Sequence, residues 1–395
     1  MTLSALAFAY ARRRPLATIL VVVLAALGVG IAVLTLILSG ELDTRMRRDA
    51  EGVDLVVGAK GSPLQLVLAG VYHADVPPGN IPYAALAALR ANPQVASAIP
   101  LALGDSVAGF RIVGTEPALV QHYGASLAQG TMFGAPMEAV IGSDVAKATG
   151  LAPGTSFEGT HGLAAGGGAH ADHDYKVVGV LAPTGRVVDR LVLTPLQSVW
   201  DVHEGPHPRP VAGDRREVTM ILLRYATPLA AATLAREINA QGALVAASPA
   251  VETARLFTVF GVGLGVVRAF AGVLVGASIL LLFVALAQAL EERRYDLAIL
   301  RALGARARDL VFVLMAESVA LALAGAALGV ALGHLAAATI GAWLPAAAPL
   351  AGAAWRLTGD EGLVVALAVA GGILAACWPA WRASRLDVAA TLSDS

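Results

Sequence analysis

Four apolar runs divide the chain, and the polar segments between them are very unequal in length. Crossing a bilayer takes about 20 predominantly apolar residues. Leu16 to Ser39 carries no charge, and Ala269 to Leu290 follows a glycine-rich stretch containing Arg268. Leu310 to Ile340 includes Glu317 and His334, and Gly362 to Trp378 forms the last run. Each pattern predicts a membrane-spanning helix. Arg12, Arg13 and Arg14 before the first run resemble the basic start of a signal peptide. That run is longer than a signal core and no small-residue cleavage site follows it cleanly, so it reads as a retained anchor.

Arginine placement sets the orientation. Arg12 to Arg14 precede span 1, while Arg293, Arg294, Arg301, Arg306 and Arg308 lie between spans 2 and 3. Arg382 and Arg385 follow span 4, and only Arg356 lies between spans 3 and 4. All three basic flanks share one side if both termini are cytoplasmic, which predicts a multi-pass membrane protein. The chain then divides into a cytoplasmic amphipathic helix (1–15), span 1 (16–39), an extracytoplasmic domain (40–258), and a stalk with span 2 (259–290). A cytoplasmic segment (291–309), span 3 (310–340), a short outer loop (341–361), span 4 (362–380) and a cytoplasmic tail (381–395) follow.

Within the outer domain the texture is mixed. VDLVVGAK at 53–60, VASAIPLAL at 95–103 and GFRIVGTE at 109–116 read as strands, with a helix expected over 81–93. Short strands and Gly/Pro turns mark a β-rich insertion at about 138–215. EVTMILLRY, a helix ending at Gly242 and ALVAASP then resume the first pattern. The fold class expected is a membrane protein: an α-helical transmembrane bundle of four spans per chain with a large extracytoplasmic α+β domain carrying a β-rich insertion.

Composition narrows the function. Of 395 residues, 57% are hydrophobic and 14% charged, as expected for lipid contact. The formal net charge of −1 gives no reason to expect nucleic acid. The single cysteine, Cys377, excludes an intrachain disulfide framework and a thiolate zinc ribbon. GAKGS at 58–62 lacks the spacing of a phosphate-binding loop, so any ATP must be bound by another chain. No nucleophile elbow and no clustered acid–base pair occur, which predicts a non-catalytic subunit with no cofactor of its own.

Three segments carry candidate chemistry. In 291–309, Leu297, Ile299, Leu300 and Leu303 supply an apolar side to a short helix, with Arg301 among the polar contacts and Gly304 ending it. Such residues beside charges mark a docking or membrane-surface helix, whereas a plain loop needs none. Glu317 lies about two turns inside span 3, where an ionisable group is costly; a functional role and an interhelical packing bond both remain open. Gly325 and Gly329 suit close helix approach, within the bundle or across a dimer. Finally, HGLAAGGGAHADHDYK at 161–176 gathers His161, His170, Asp172, His173 and Asp174, with His203 and His207 in the same region. Imidazole and carboxylate on a glycine-flanked loop suit a weak Zn2+ site, against the plain alternative of a solvated polar loop.

The order of spans, ERRYDLAILRALGARARDLVFVLMAES followed by GAALGVALG, and PAWRASRLDVAATL at 379–392 resemble the permease family of MacB, FtsX and the LolC/LolE proteins. AVIGSDVAKATGLAPGTSF and YKVVGVLAPTGRVVDRLVLTPLQSVW are similar to the β-rich part of that family's outer domain. The resemblance implies an ABC-type mechanotransmission permease docked on a separate ABC ATPase subunit and paired with a second permease copy, as a homodimer or with a related permease. It implies a place in the bacterial inner membrane, a coupling helix over Tyr295 to Gly304, stalks at 40–52 and 253–268, and a periplasmic or outer-membrane partner or substrate. The histidine-rich loop resembles a subgroup associated with zinc-responsive systems. The competing reading is a membrane-anchored zinc sensor or scaffold without ATP coupling.

Overall fold

The computed structural model describes residues 15–161, 169–204, 216–344 and 347–385. They form two compact units: Thr44–Thr258, and the residues up to Asp43 joined with those from Val259 onward. Helix α1 (Pro15–Ala50) extends past the first border. The expected helix before residue 15 and the tail beyond 385 lie outside the described residues.

The middle unit starts with β1 (Leu55–Gly58) and α2 (Pro63–Gly70), whose first turn is capped by Ser62 accepting from the Gln65 amide. β2 (Ile81–Pro82) and α3 (Ala84–Arg90) occupy the stretch read as one helix over 81–93. Pro82 biases Ile81 to extended backbone, and the two residues pair with Val218 and Glu217, so the helix starts late. Next come β3 (Val95–Val107), β4 (Phe110–Thr115), α4 (Ala118–His122) and β5 (Leu127–Gly130). The segment expected to be β-rich supplies β6 (Glu138–Ile141), α5 (Ser143–Thr149), β7 (Ser156–His161), β8 (Ala169–Leu181), β9 (Leu191–Pro195) and α6 (Leu196–Glu204). β10 (Glu217–Val218), β11 (Met220–Tyr225), α7 (Ala230–Ala240) and β12 (Val245–Ala247) complete the unit.

One sheet runs β12-β1-β11-β3-β4-β9-β6-β8-β5, with β7 against β3 and β8. The 13-residue β3 links its two parts. Its residues 95–101 pair with β11, while 102–107 pair with β4 across an irregularity between Leu103 and Ser106. The insertion strands enter the same sheet through the parallel β4–β9 pairing, Arg111 opposite Leu191 to Thr115 opposite Pro195. At β1 both faces are covered: Val56 joins one core cluster, and Leu55 and Val57 another with α3 and α7. This explains why 55–59 is a continuous apolar run instead of an alternating one.

The second unit contains α8 (Pro249–Glu292), α9 (Arg294–Ala302), α10 (Ala307–Trp343), α11 (Pro349–Ala353) and α12 (Gly359–Ser384). α1, α8, α10 and α12 are long and apolar enough to cross a membrane. Small residues set their approach. A Cβ on Gly329 would lie 2.7 Å from the Val29 Cβ and 2.8 Å from the Ala26 carbonyl oxygen, and one on Gly325 would lie 2.7 Å from the Ala25 Cβ. Gly333 meets Val33 in the same way, so the glycine row of α10 packs on α1 of its own chain. Of the two partners left open by the sequence, the structure shows the intrachain one.

Gly329→Leu is expected to cost about 1–3 kcal/mol through overpacking, seen as a lower Tm in nanodiscs. Gly362→Ala, where a Cβ meets nothing within 4 Å, serves as the control. Equal melting of both variants would contradict this packing. A second expectation concerns pH. Desolvation, reinforced by Arg111 and Arg190, pushes His73 down from 6.5 to about 3. The unfolded chain binds a proton near 6.5 that the folded domain refuses, so this stability is complete above that pH and lost as pH falls toward 3. His73→Asn, which tolerates the positive φ of 52° there, should flatten the slope by at most about 1.4 kcal/mol per pH unit. Denaturant melts of the 44–258 unit across that window check it; unchanged slopes would refute it.

Candidate functional site

The charged segment between the second and third long helices folds as α9, bounded at each end by residues outside helical geometry. Arg293 has φ −102° and ψ 7° and separates α8 from α9. Its amide donates to the Ala289 carbonyl (3.1 Å), and its carbonyl accepts from the Leu297 amide (2.9 Å), so it belongs to both helical ladders. At the other end Gly304 has φ 103°, a left-handed backbone that glycine adopts without strain. The Arg306 amide then donates to Asp309 Oδ2 at 2.9 Å, opening α10.

The apolar residues of α9 divide between two directions. Leu297 and Ala298 are buried in a cluster with Val21, Leu286, Leu310 and Ala380. They fix the short helix to α1, α8, α10 and α12. Tyr295, Ile299 and Leu303 are 49%, 37% and 79% exposed, and their i, i+4, i+8 spacing places them along one face. Arg301 is half-buried, and the side chain of Leu300 lies outside the described residues. Glu291 joins the same end of the bundle, reaching Arg294 at 3.2 Å and Arg382 of α12 at 2.8 Å.

Glu317 is 7% exposed, and its Oε2 lies 3.5 Å from Arg293 Nη1. A cavity of about 20 Å³ adjoins the pair, lined also by Thr18, Val21 and Leu282. Arg293 is a site residue that sequence reading used only for topology. The signal was present, because a buried carboxylate requires a partner. A second polar contact closes the other end of α10. His334 Nδ1 lies 2.7 Å from the Ala354 carbonyl oxygen, and Nε2 2.9 Å from Glu361 Oε2. A carbonyl only accepts, so Nδ1 carries a proton. Glu361 Oε1 in turn accepts from the Thr358 amide and hydroxyl, tying the residues after α11 to α12.

The metal candidates fare differently. The side chains of His161, His170, Asp172, His173 and His203 lie outside the described residues, as do 162–168 and His207. Asp174 is exposed on β8, opposite Glu158 of β7. Among the described residues no group of three His, Cys, Asp or Glu side chains converges on a metal-sized site.

The profile of the MacB-like periplasmic core domain matches residues 18–241, and that of the FtsX-like permease C-terminal region matches 268–388. Among solved structures, the chain is similar to the periplasmic region of MacB from Actinobacillus actinomycetemcomitans, at 11% identity and TM-score 0.35, covering 52% of this chain and 95% of that one. It is also similar to the extracellular domain of the noncanonic ABC-type transporter YknZ from Gram-positive bacteria, at 12% identity and TM-score 0.31, covering 49% and 98% respectively. A search of curated proteins gives no match. With both profiles covering successive parts of one chain, and with four membrane-length helices and a large mixed α/β domain among the described residues, this protein belongs to the FtsX-like ABC-type permeases that carry a MacB-like periplasmic core domain.

Proposed function

We propose that this permease receives ATP-driven movement from a separate ABC ATPase at α9 and passes it to its extracytoplasmic domain, which acts on an envelope substrate. The observation that carries this reading is the exposed set Tyr295, Ile299 and Leu303, along and just past a helix whose Leu297 and Ala298 are packed in the bundle. An apolar row held on an anchored helix between basic flanks suits a protein partner. The arginine pattern supports placing α9 and both termini in the cytoplasm of an inner-membrane protein. Family membership supports a second permease copy. A zinc sensor or scaffold would leave the exposed α9 row without a role, and no observation favours it.

Ile299→Asp and Leu303→Asp should each weaken capture of the cognate ATPase at least about 10-fold, because losing one buried aliphatic contact costs about 1.5–3 kcal/mol. Co-purification from nanodiscs checks this, with Tm unchanged. Leu297→Ala should instead lower Tm, by the cost of about 2–5 kcal/mol for emptying a core position. Full capture by both aspartate variants would reject α9 as the docking surface.

A further inference from the structure

We propose that Arg293 and Glu317 form the joint that makes α10 follow α9, with Glu317 as a positioning residue; this rests on the reading that α9 takes the push. Two routes connect these helices. The covalent route is the short segment 303–306, which contains Gly304 at φ 103° and can absorb displacement by backbone rotation. The second route bypasses it. Arg293 stands at the break before α9, and its guanidinium turns inward to Glu317. Glu317 lies ten residues into α10, about 15 Å along the axis from its start at Ala307. The pair thus grips α10 well beyond the flexible loop.

Stability alone does not account for these charges. Removing two charges from water is costly, and well-packed apolar residues often serve a core equally well. A buried pair does fix which surfaces meet, because either charge alone is strongly penalised. Arg293 is 9% and Glu317 7% exposed, and the surrounding cluster is apolar, so separating them would be costly. The contact therefore resists separation. A cavity of about 20 Å³, room for one water, adjoins the pair.

The test uses the full permease with its ATPase in nanodiscs, in a Cys377→Ala background, with spin labels at Ala302→Cys on α9 and Ala320→Cys on α10. With the joint intact, the label distance stays the same through ATP binding and hydrolysis. In Arg293→Met/Glu317→Leu, which keeps apolar packing, ATPase capture should stay at the parental level while the distance shifts by about 1–2 Å or more and broadens with nucleotide. Glu317→Gln, closer in shape, should give the same nucleotide-dependent shift and serves if the double variant fails to fold. Capture with a distance that stays fixed in these variants overturns the joint alone. Failure of the parental permease to capture the ATPase overturns the docking reading and the joint with it.

Discussion

In a bilayer, apolar helices gain little by leaving lipid for one another, so a bundle must be held by close packing and by polar contacts that lipid cannot satisfy. The second unit uses both. Gly325, Gly329 and Gly333 bring α10 against Ala25, Val29 and Val33 of α1, and Ser318 donates to the Gly372 carbonyl across to α12. Between these contacts no large side chain would fit. The rest of the bundle is arranged around α10 in consequence.

Polar contacts then mark the two ends of that helix. Near its start, Glu317 meets Arg293 at the α8–α9 break; farther along, His334 meets Glu361 and the Ala354 carbonyl. Both replace hydration with partners inside the protein, the condition under which ionisable groups persist within spans. Each also joins α10 to a segment flanking a connection: Arg293 precedes α9, and Ala354 follows α11. The connections are consequently fixed by side chains as well as by the backbone that enters and leaves them.

Much of this was legible in the sequence. Long apolar runs mark the spans because length and hydropathy are local properties, and the 53–60, 95–103 and 109–116 strands appear close to the expected positions. Strand order was hidden, because the parallel β4–β9 pairing joins residues about 80 apart and leaves no periodic trace. In α9 the sequence showed an apolar set but could not separate Leu297, buried, from Ile299 and Leu303, exposed, since leucines occur around much of the helix. Likewise Glu317 is conspicuous in the sequence, whereas Arg293 is one of five arginines in a basic segment, and only the interruption of helical geometry before α9 sets it apart, facing Glu317. The histidine-rich stretch remains a sequence-level candidate for metal, its key side chains lying outside the described residues.

Site-specific photocrosslinking reads the proposed contact between the exposed face of α9 and an ATPase directly. A photoreactive residue at Leu303, 79% exposed, should crosslink to the ATPase subunit, while one at Leu323 on the apolar face of α10, 47% exposed, should not. Crosslinking of Leu303 to lipid alone, with none to the ATPase in a complex that still co-purifies, would contradict the account.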